Sequence, residues 1–202
     1  MSRKVTAIIG GYRKGRIIDT AVDEILAAAE ECGAETSRIY LRDRSIDFCT
    51  NCRVCTQQEG SRRGACPLSD DMATILDELD RSDAIILASP VNFGTVTAVM
   101  KKFIERLVCY AFWPWGKAGP QIRTSLRDKR AVIVLSSAAP AIMTRLLTGS
   151  SGLLKKTAGL LGARTIGVLA IGLAALQEKQ ALPDRARRKA RQLGRKLGAC
   201  RT

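Results

Sequence analysis

The sequence predicts an α/β fold in which a doubly wound parallel sheet of five strands carries helices on both faces. Three observations point to this fold class. Five strand-like segments alternate with five helical segments, as expected when helices connect parallel strands. The first strand-like segment, Val5–Ile9, is a continuous apolar run typical of a strand buried on both faces. A chain of 202 residues is also long enough to bury a core of this kind.

The strands are expected at regular intervals along the chain. The first runs directly into Gly10 and Gly11, and the third ends at Ser89 and Pro90. The second is the weakest. The predicted strands are Val5–Ile9, Thr36–Leu41, Ala84–Ala88, Ala131–Leu135 and Thr165–Ile171.

Apolar residues at helical spacing predict the helices between these strands. Gly33 ends the first helix and Gly162 ends the fourth. Ser69 is the expected N-cap of the second helix, because two acidic residues suited to a first turn follow it. Pro183 opens the last helix. The predicted helices cover about 18–32, 70–79, 96–107, 153–161 and 183 onward.

These units fit the flavodoxin-like strand order 2-1-3-4-5. In such folds the ligand lies beyond the carboxyl ends of the strands, at the switch between the first and third strands. The loops at 10–19, 89–95 and 136–145 are therefore expected to build a site. No internal repeat or Pro/Ser-rich linker interrupts the chain. We interpret residues 1–202 as a single domain with a cysteine-rich insertion loop at about 42–68.

Composition limits the function classes. The net charge of +14 raises nucleic acid, an anionic membrane or a phosphorylated ligand as partners. The absence of histidine excludes Ser-His and Cys-His nucleophiles and His-ligated metal sites. The apolar run 165–176 is too short to span a bilayer, and no signal-peptide pattern is visible. We therefore expect a cytoplasmic protein without a membrane partner.

The basic residues are concentrated at the end of the chain. Eight lie within Pro183–Thr202, where an apolar stripe predicts a helix with a solvated basic face. A basic nucleic-acid-binding module would be an alternative function, but no helix-turn-helix, RRM or zinc-finger pattern is present. No nucleic-acid partner is expected.

The loop after the first strand is typical of a phosphate site. Its glycines permit a tight turn, its amides and the following helix N-terminus favour an anion, and three basic side chains add charge. It matches neither the Walker pattern nor G-x-G-x-x-G, and a solvated basic turn is the alternative. The candidate residues are Gly11, Tyr12, Arg13, Lys14, Gly15, Arg16, Ile17 and Ile18.

The loop after the third strand suits a flat heteroaromatic ring with polar edges, because it offers amides, an Asn side chain and an aromatic ring. The alternative is a turn that caps the next helix through Thr95. The candidate residues are Ser89, Pro90, Val91, Asn92, Phe93 and Gly94.

Four of the seven cysteines form a cluster with spacings of two, two and ten residues. They are Cys49, Cys52, Cys55 and Cys66. Thiolates favour zinc or iron–sulfur groups, and the closely spaced triple favours a [4Fe–4S] cluster over structural zinc. Zinc, free thiols and a redox disulfide remain alternatives. Cys32 and Cys109 are interpreted as buried structural residues, and Cys200 as incidental.

Trp113-Pro114-Trp115 places both tryptophans of the chain in one tripeptide. The segment could cover an aromatic cofactor, anchor a subunit interface or form a structural surface cluster.

Several motifs together resemble a known family. They are Arg13-Lys14-Gly15, the CxxCxxC loop, Asp70-Asp71-Met72, the segment 89–94 and the segment 101–106. In the same order along the chain, they resemble those of flavodoxin-like NAD(P)H-dependent FMN reductases, in the iron–sulfur flavoprotein branch. This sequence departs from the family pattern in the phosphate loop, where Gly11 stands for a usual Ser, and at Asn92, where Tyr or Trp is common.

The resemblance implies a noncovalently bound FMN. Its phosphate would lie on the loop Gly11–Ile18 with Arg13, and its isoalloxazine and ribityl along Pro90–Gly94. Three residues after the fourth strand would approach the other side of the ring: Ser136, Ser137 and Ala138. The resemblance also implies a [4Fe–4S] cluster on the four clustered cysteines, close to the flavin across the interface of a homodimer or homotetramer.

The expected activity is hydride transfer from NAD(P)H to FMN, followed by electron release to the cluster or an external acceptor. The cofactor supplies this chemistry, and no acid–base side chain is required, so no catalytic residue is assigned. A non-enzymatic flavin/iron–sulfur electron carrier or redox sensor is the alternative.

Overall fold

The fold centres on one parallel sheet. The computed structural model describes residues 2–60, 62–123 and 126–198, with the backbone alone at 145–147. The long strands are β1 (Lys4–Ile9), β2 (Glu35–Tyr40), β3 (Ala84–Asn92), β4 (Lys129–Ser136) and β5 (Ala163–Ile171). They pair in parallel in the order 2-1-3-4-5. The predicted fold class and strand order are confirmed.

Helices cover both faces of this sheet. Within the described residues they are α1 (Ile17–Glu30), α2 (Met72–Arg81), α3 (Ala98–Arg106), α4 (Ala141–Leu147), α5 (Ser150–Leu160) and α6 (Asp184–Gly198). Because strand side chains alternate between faces, Ala7 and Ile9 of β1 join the cluster with α1 and α6. Ile8 joins the cluster with α2, α3 and α5 on the opposite face.

Most element ends differ from the sequence prediction by a few residues, and at three of them a predicted boundary or cap changes. β3 continues beyond Ala88 to Asn92, and Pro90 lies at the end of its pairing with β4, where a missing N–H is tolerated. Ser69 is not the cap of α2; a carboxylate oxygen of Asp70 accepts from the Met72 N–H at 3.0 Å. Thr97 rather than Thr95 caps α3, since Thr95 pairs with β3 in a two-residue strand. Helix α4 lies where a loop was predicted.

The basic terminal helix packs against α1. A Cβ at Gly194 would lie 2.1 Å from the carbonyl oxygen of Ile25, so only glycine permits this close approach. Arg187 and Arg191 pair with Glu24, and Arg191 also pairs with Glu31. Part of the positive charge is therefore compensated within the fold. Cys200 lies outside the described residues.

None of the helices in the described ranges is long and apolar enough to cross a membrane.

Candidate functional site

A cavity of about 320 Å³ opens at the carboxyl ends of β1, β3, β4 and β5. This is where the strand order predicted a ligand site. Its lining residues are Gly11, Tyr12, Arg13, Arg16, Ile17, Ile18, Pro90, Val91, Asn92, Ser136, Ser137, Ala138, Ala174, Ala175, Glu178 and Gln180. We call it the sheet-edge cavity. The three predicted loops therefore meet at one place.

Five of the predicted residues do not line this cavity. Lys14 pairs with Asp43 at 2.5 Å, and Gly15 lies beside it in an adjoining groove. Ser89 is fully buried, and its hydroxyl accepts from the Thr97 N–H at 3.1 Å. Phe93 and Gly94 form a turn with φ of +47° and +76°, which leaves the Phe93 ring in solvent. The Phe93 ring, which was predicted to face a ligand, is therefore exposed and does not line the sheet-edge cavity.

Hydrogen bonds hold the loop after β1 in place. The buried carboxylate of Asp19 accepts from the Gly15 N–H at 2.6 Å. Burial raises the pKa of Asp19, although the Gly15 N–H opposes this shift. The Tyr12 hydroxyl accepts from the N–H of Ala98 at the start of α3, at 3.0 Å. The loop is therefore shaped by contacts with α1 and α3.

The segment after β5 completes the sheet-edge cavity and was missed by the sequence analysis. It contributes Ala174, Ala175, Glu178 and Gln180. The Arg16 guanidinium donates to the Glu178 carbonyl and lies 3.7 Å from its carboxylate, which ties this segment to the β1 loop. The carboxyl end of β5 was itself a signal, because it lies at the same sheet edge as the other loops.

A second cavity, of about 290 Å³, contains all four clustered cysteines. Its lining residues are Cys49, Thr50, Asn51, Cys52, Arg53, Cys55, Cys66, Leu68, Arg106, Val108 and Trp113. We call it the cysteine cavity. None of these cysteines is in a disulfide. The structure thus brings together the four residues that the spacing singled out.

The thiols of the cysteine cavity differ in environment. Cys55 is buried, whereas Cys52 and Cys66 are exposed. Burial raises the pKa of the Cys55 thiol, and the three neighbouring cysteines raise it further. Hydrogen bonds from the Val54 backbone and the Thr50 side chain lower the pKa of Cys52. All four thiols nevertheless line the same cavity.

The segment Trp113-Pro114-Trp115 packs against Arg53 of the cysteine-rich loop. The Arg53 guanidinium lies between the rings of Trp113 and Trp115, at 3.9 and 4.1 Å from their centroids. It also donates to the Trp113 carbonyl at 2.6 Å. Arg53 has a φ of +60°, so these contacts must compensate an unfavourable backbone conformation. These contacts are those expected of the structural surface cluster predicted for Trp113 and Trp115.

Close backbone packing also fixes this loop. The Gly64 N–H donates to the Cys109 carbonyl at 2.8 Å. A Cβ at Gly64 would lie 1.7 Å from the Cys55 carbonyl oxygen, so no larger residue fits there. Arg123 donates to the same Cys55 carbonyl at 3.0 Å. Cys109 itself is buried, as expected, whereas Cys32 is half-buried.

Two arginines, Arg53 and Arg106, line the cysteine cavity together with the thiols. In the described ranges, no three His, Cys, Asp or Glu side chains are placed to hold a metal ion. The Nε atoms of both arginines are buried without a hydrogen-bond partner among the described residues.

A family model for the NADPH-dependent FMN reductases matches residues 3–172. The chain belongs to this family. Membership confirms the family that the motifs resembled.

Curated relatives within the FMN reductase family carry the name of the predicted branch. An iron–sulfur flavoprotein from Archaeoglobus fulgidus is 36% identical over 121 residues, which is 59% of this chain and 53% of the relative. One from Methanocaldococcus jannaschii is 38% identical over 103 residues, 51% of each chain. The chain thus spans about half the length of the curated relatives it matches.

Solved structures share the fold of this FMN reductase family member. An FMN-dependent NADH-azoreductase from Bacillus anthracis has a TM-score of 0.72 at 12% identity, covering 98% of this chain and 100% of that one. An NAD(P)H:quinone oxidoreductase from Methanothermobacter marburgensis has a TM-score of 0.68 at 18% identity, covering 100% of both chains. At these identities the likeness establishes the architecture.

Proposed function

We propose that this protein is an FMN-dependent oxidoreductase that takes a hydride from NAD(P)H and passes electrons to an acceptor. The observation that carries the proposal is the sheet-edge cavity in a member of the FMN reductase family. Bound FMN would supply both hydride acceptance and stepwise electron release. The protein would supply binding, orientation and electrostatics.

The residues of the sheet-edge cavity fit FMN chemically. The loop Gly11–Ile18 offers amides, the N-terminus of α1 and the Arg13 and Arg16 guanidinium groups to a phosphate. Gln180 has a buried side-chain oxygen without a partner among the described residues, which an N–H of a heteroaromatic ring could satisfy. Pro90–Asn92 and Ser136–Ala138 would bound the ring.

We also propose that Cys49, Cys52, Cys55 and Cys66 hold a [4Fe–4S] cluster. Two features support this: the four thiols line one cavity, and Arg53 and Arg106 bring cationic groups to it. Such a cluster would supply one-electron transfer. A flavin/iron–sulfur electron carrier or redox sensor without hydride chemistry is the second candidate, because the same chain carries both the sheet-edge cavity and the cysteine cavity.

The assembly and location belong to the same proposal. We propose a single-domain homodimer or homotetramer in the cytoplasm. Exposed apolar side chains on the cysteine loop and the neighbouring tryptophan segment support an interface there: Phe48, Val54 and Trp115.

Anaerobic purification followed by absorption spectroscopy and iron, sulfide, zinc and flavin analysis tests both cofactors. We expect one FMN per chain and about four iron and four sulfide, with absorbance bleached by dithionite. Rapid NAD(P)H oxidation by the FMN-loaded protein would support the oxidoreductase. Flavin and iron without NAD(P)H oxidation would favour the carrier, and protein with no affinity for FMN would overturn the main proposal.

A further inference from the structure

Arg106 at the end of α3 is the most deeply buried charged side chain beside the cysteine cavity. Its side chain is 2% exposed, and that of its ion-pair partner Asp70 is 3% exposed. One terminal nitrogen donates to the Asp47 carbonyl at 2.9 Å, and the other to Asp70 Oδ1 at 3.1 Å. The orientation of the guanidinium is therefore fixed from two sides.

The same guanidinium contacts one of the clustered thiols. Arg106 Nη2 lies 3.5 Å from the Sγ atom of Cys66, within hydrogen-bonding distance for sulfur. Its Nε atom is buried and has no partner among the described residues. Arg106 thus brings a hydrogen bond to sulfur and a positive charge to the cavity.

We propose that Arg106 is a positioning residue that orients Cys66 and raises the reduction potential of the iron–sulfur group held there. This inference rests on the proposed function, since it assumes that the cysteines hold such a group. A positive charge stabilises the reduced, more negative state, and hydrogen bonds to ligand sulfurs act in the same direction. Burial of the guanidinium limits the solvent screening of its charge.

The Asp70 carboxylate makes this placement possible. An unpaired buried guanidinium would be costly, so Arg106 needs a fixed counter-charge that leaves the thiol contact free. Burial opposes ionisation of Asp70, but hydrogen bonds from Arg106 and the backbone of Asp47 and Met72 outweigh it and lower the pKa of Asp70. The carboxylate therefore remains ionised and holds Arg106 toward Cys66.

A purely structural role for Arg106 makes a different prediction. In that case the ion pair would only attach the cysteine loop to α3, and removing it would lower stability and iron content without changing the potential of any cluster that remains. Arg123 provides the matched control. It anchors the same loop by donating to the carbonyl oxygens of Cys55, Cys109 and Ala111, with no sulfur among its contacts.

The experiment compares the wild-type holoprotein with Arg106→Lys and Arg123→Lys. Each is reconstituted anaerobically with iron and sulfide, assayed for both, and titrated with redox dyes while the electron paramagnetic resonance signal is recorded. Arg106→Lys keeps the positive charge but loses the terminal nitrogen that contacts Cys66. We expect loss of this hydrogen bond to shift the reduced-to-oxidised ratio about tenfold toward the oxidised form, a change of ~59 mV for a one-electron couple. Arg123→Lys should retain the wild-type potential.

The outcomes distinguish a failure of the role proposed for Arg106 from a failure of the cluster proposal. An unchanged potential in Arg106→Lys, or an equal shift in Arg123→Lys, would overturn the role of Arg106 and leave the cluster proposal intact. Wild-type protein that binds no iron would overturn both.

A double variant tests the role of Arg106 if Arg106→Lys does not fold. Asp70→Asn with Arg106→Gln removes both charges and leaves neither partner as an unpaired ion. Because Arg106 is the partner nearer to the sulfur, a smaller shift in the same direction is expected. A folded double variant with the wild-type potential would also overturn the proposal.

Discussion

The two cavities of this protein are built in different ways. The sheet-edge cavity is formed where four parallel strands end, so the sheet itself positions its walls. The cysteine cavity is formed mainly by the long connection between β2 and α2, together with Arg106, Val108 and Trp113. None of the described residues of that connection belongs to a strand of a sheet. The backbone of this loop is held by contacts of three arginines, Arg53, Arg106 and Arg123. Gly64 also packs closely against the Cys55 carbonyl group.

The two cavities should therefore respond differently to single substitutions. Backbone positions in the sheet-edge cavity follow from strand pairing, so single side-chain changes should alter affinity without removing the cavity. The cysteine cavity depends on a few side chains and on Gly64. One substitution there should disrupt it, while the sheet and its cavity remain intact.

The largest effect is expected from Gly64→Ala. The new Cβ would lie 1.7 Å from the Cys55 carbonyl oxygen, so the backbone must move at a cost of at least ~3 kcal/mol. We expect buried Cys55 to become accessible to alkylation, iron binding to be lost, and FMN affinity to stay within about twofold of wild type. Denaturant unfolding, mass-spectrometric thiol mapping and flavin titration measure these effects.

Gly119→Ala is the control for this variant, because a Cβ there meets nothing within 4 Å. It should match wild type in all three assays. Retained protection of Cys55 in Gly64→Ala would contradict the fragility assigned to the cysteine cavity.

A smaller effect, confined to the sheet-edge cavity, is expected from Arg16→Ala. Arg16 lines this cavity and holds the segment after β5 through Glu178. Loss of a charged donor is worth about 1.5–3 kcal/mol, so FMN affinity should fall about 10- to 100-fold while thiol accessibility is unchanged. Fluorescence titration with FMN provides the measurement.

Lys14→Ala is the matched control for Arg16→Ala. Lys14 lies in the same loop but pairs with Asp43 and does not line the cavity. Its removal should change FMN affinity by less than about threefold. An equal loss in both variants would show that net charge, rather than contact with the cavity, decides FMN binding.

The smallest effect is expected from Asp19→Asn beneath the loop after β1. Because burial raises the pKa of Asp19, its contribution to stability is present at low pH and is lost as pH rises through the folded-state pKa. An amide oxygen can still accept from the Gly15 N–H. The variant should therefore be slightly more stable than wild type at pH 7, with the difference vanishing below about pH 4.

The same variant should bind FMN several-fold more tightly at pH 7. It removes the negative charge of Asp19 in α1, beside the loop after β1 that would hold the phosphate. Denaturant unfolding and flavin titration at pH 4, 5.5 and 7 test these expectations. A stability advantage that grows as pH falls would contradict the sign of the effect.

Much of the sheet-edge cavity could be predicted from the sequence. The apolar strands and the glycines after β1 place three of its loops, because parallel strands bring their carboxyl ends to one edge. The orientations of Ser89 and Phe93 could not be predicted, since they depend on a turn whose Phe93 adopts a positive φ. The segment after β5 carries no recognisable motif. Its one sequence signal was its place after the carboxyl end of a predicted strand, and the contact with Arg16 shows its role in the fold.

Local periodicity and spacing along the chain were enough to predict the five long strands, five of the six described helices and the set of clustered cysteines. The family followed from the resemblance of several motifs taken together. The contact of Arg106 with Cys66, the hydrogen bond from Arg106 to Asp70 and the stacking of Arg53 on two tryptophans are visible only in the folded chain. The partners lie tens of residues apart, and no local pattern encodes which buried cation meets which sulfur or ring.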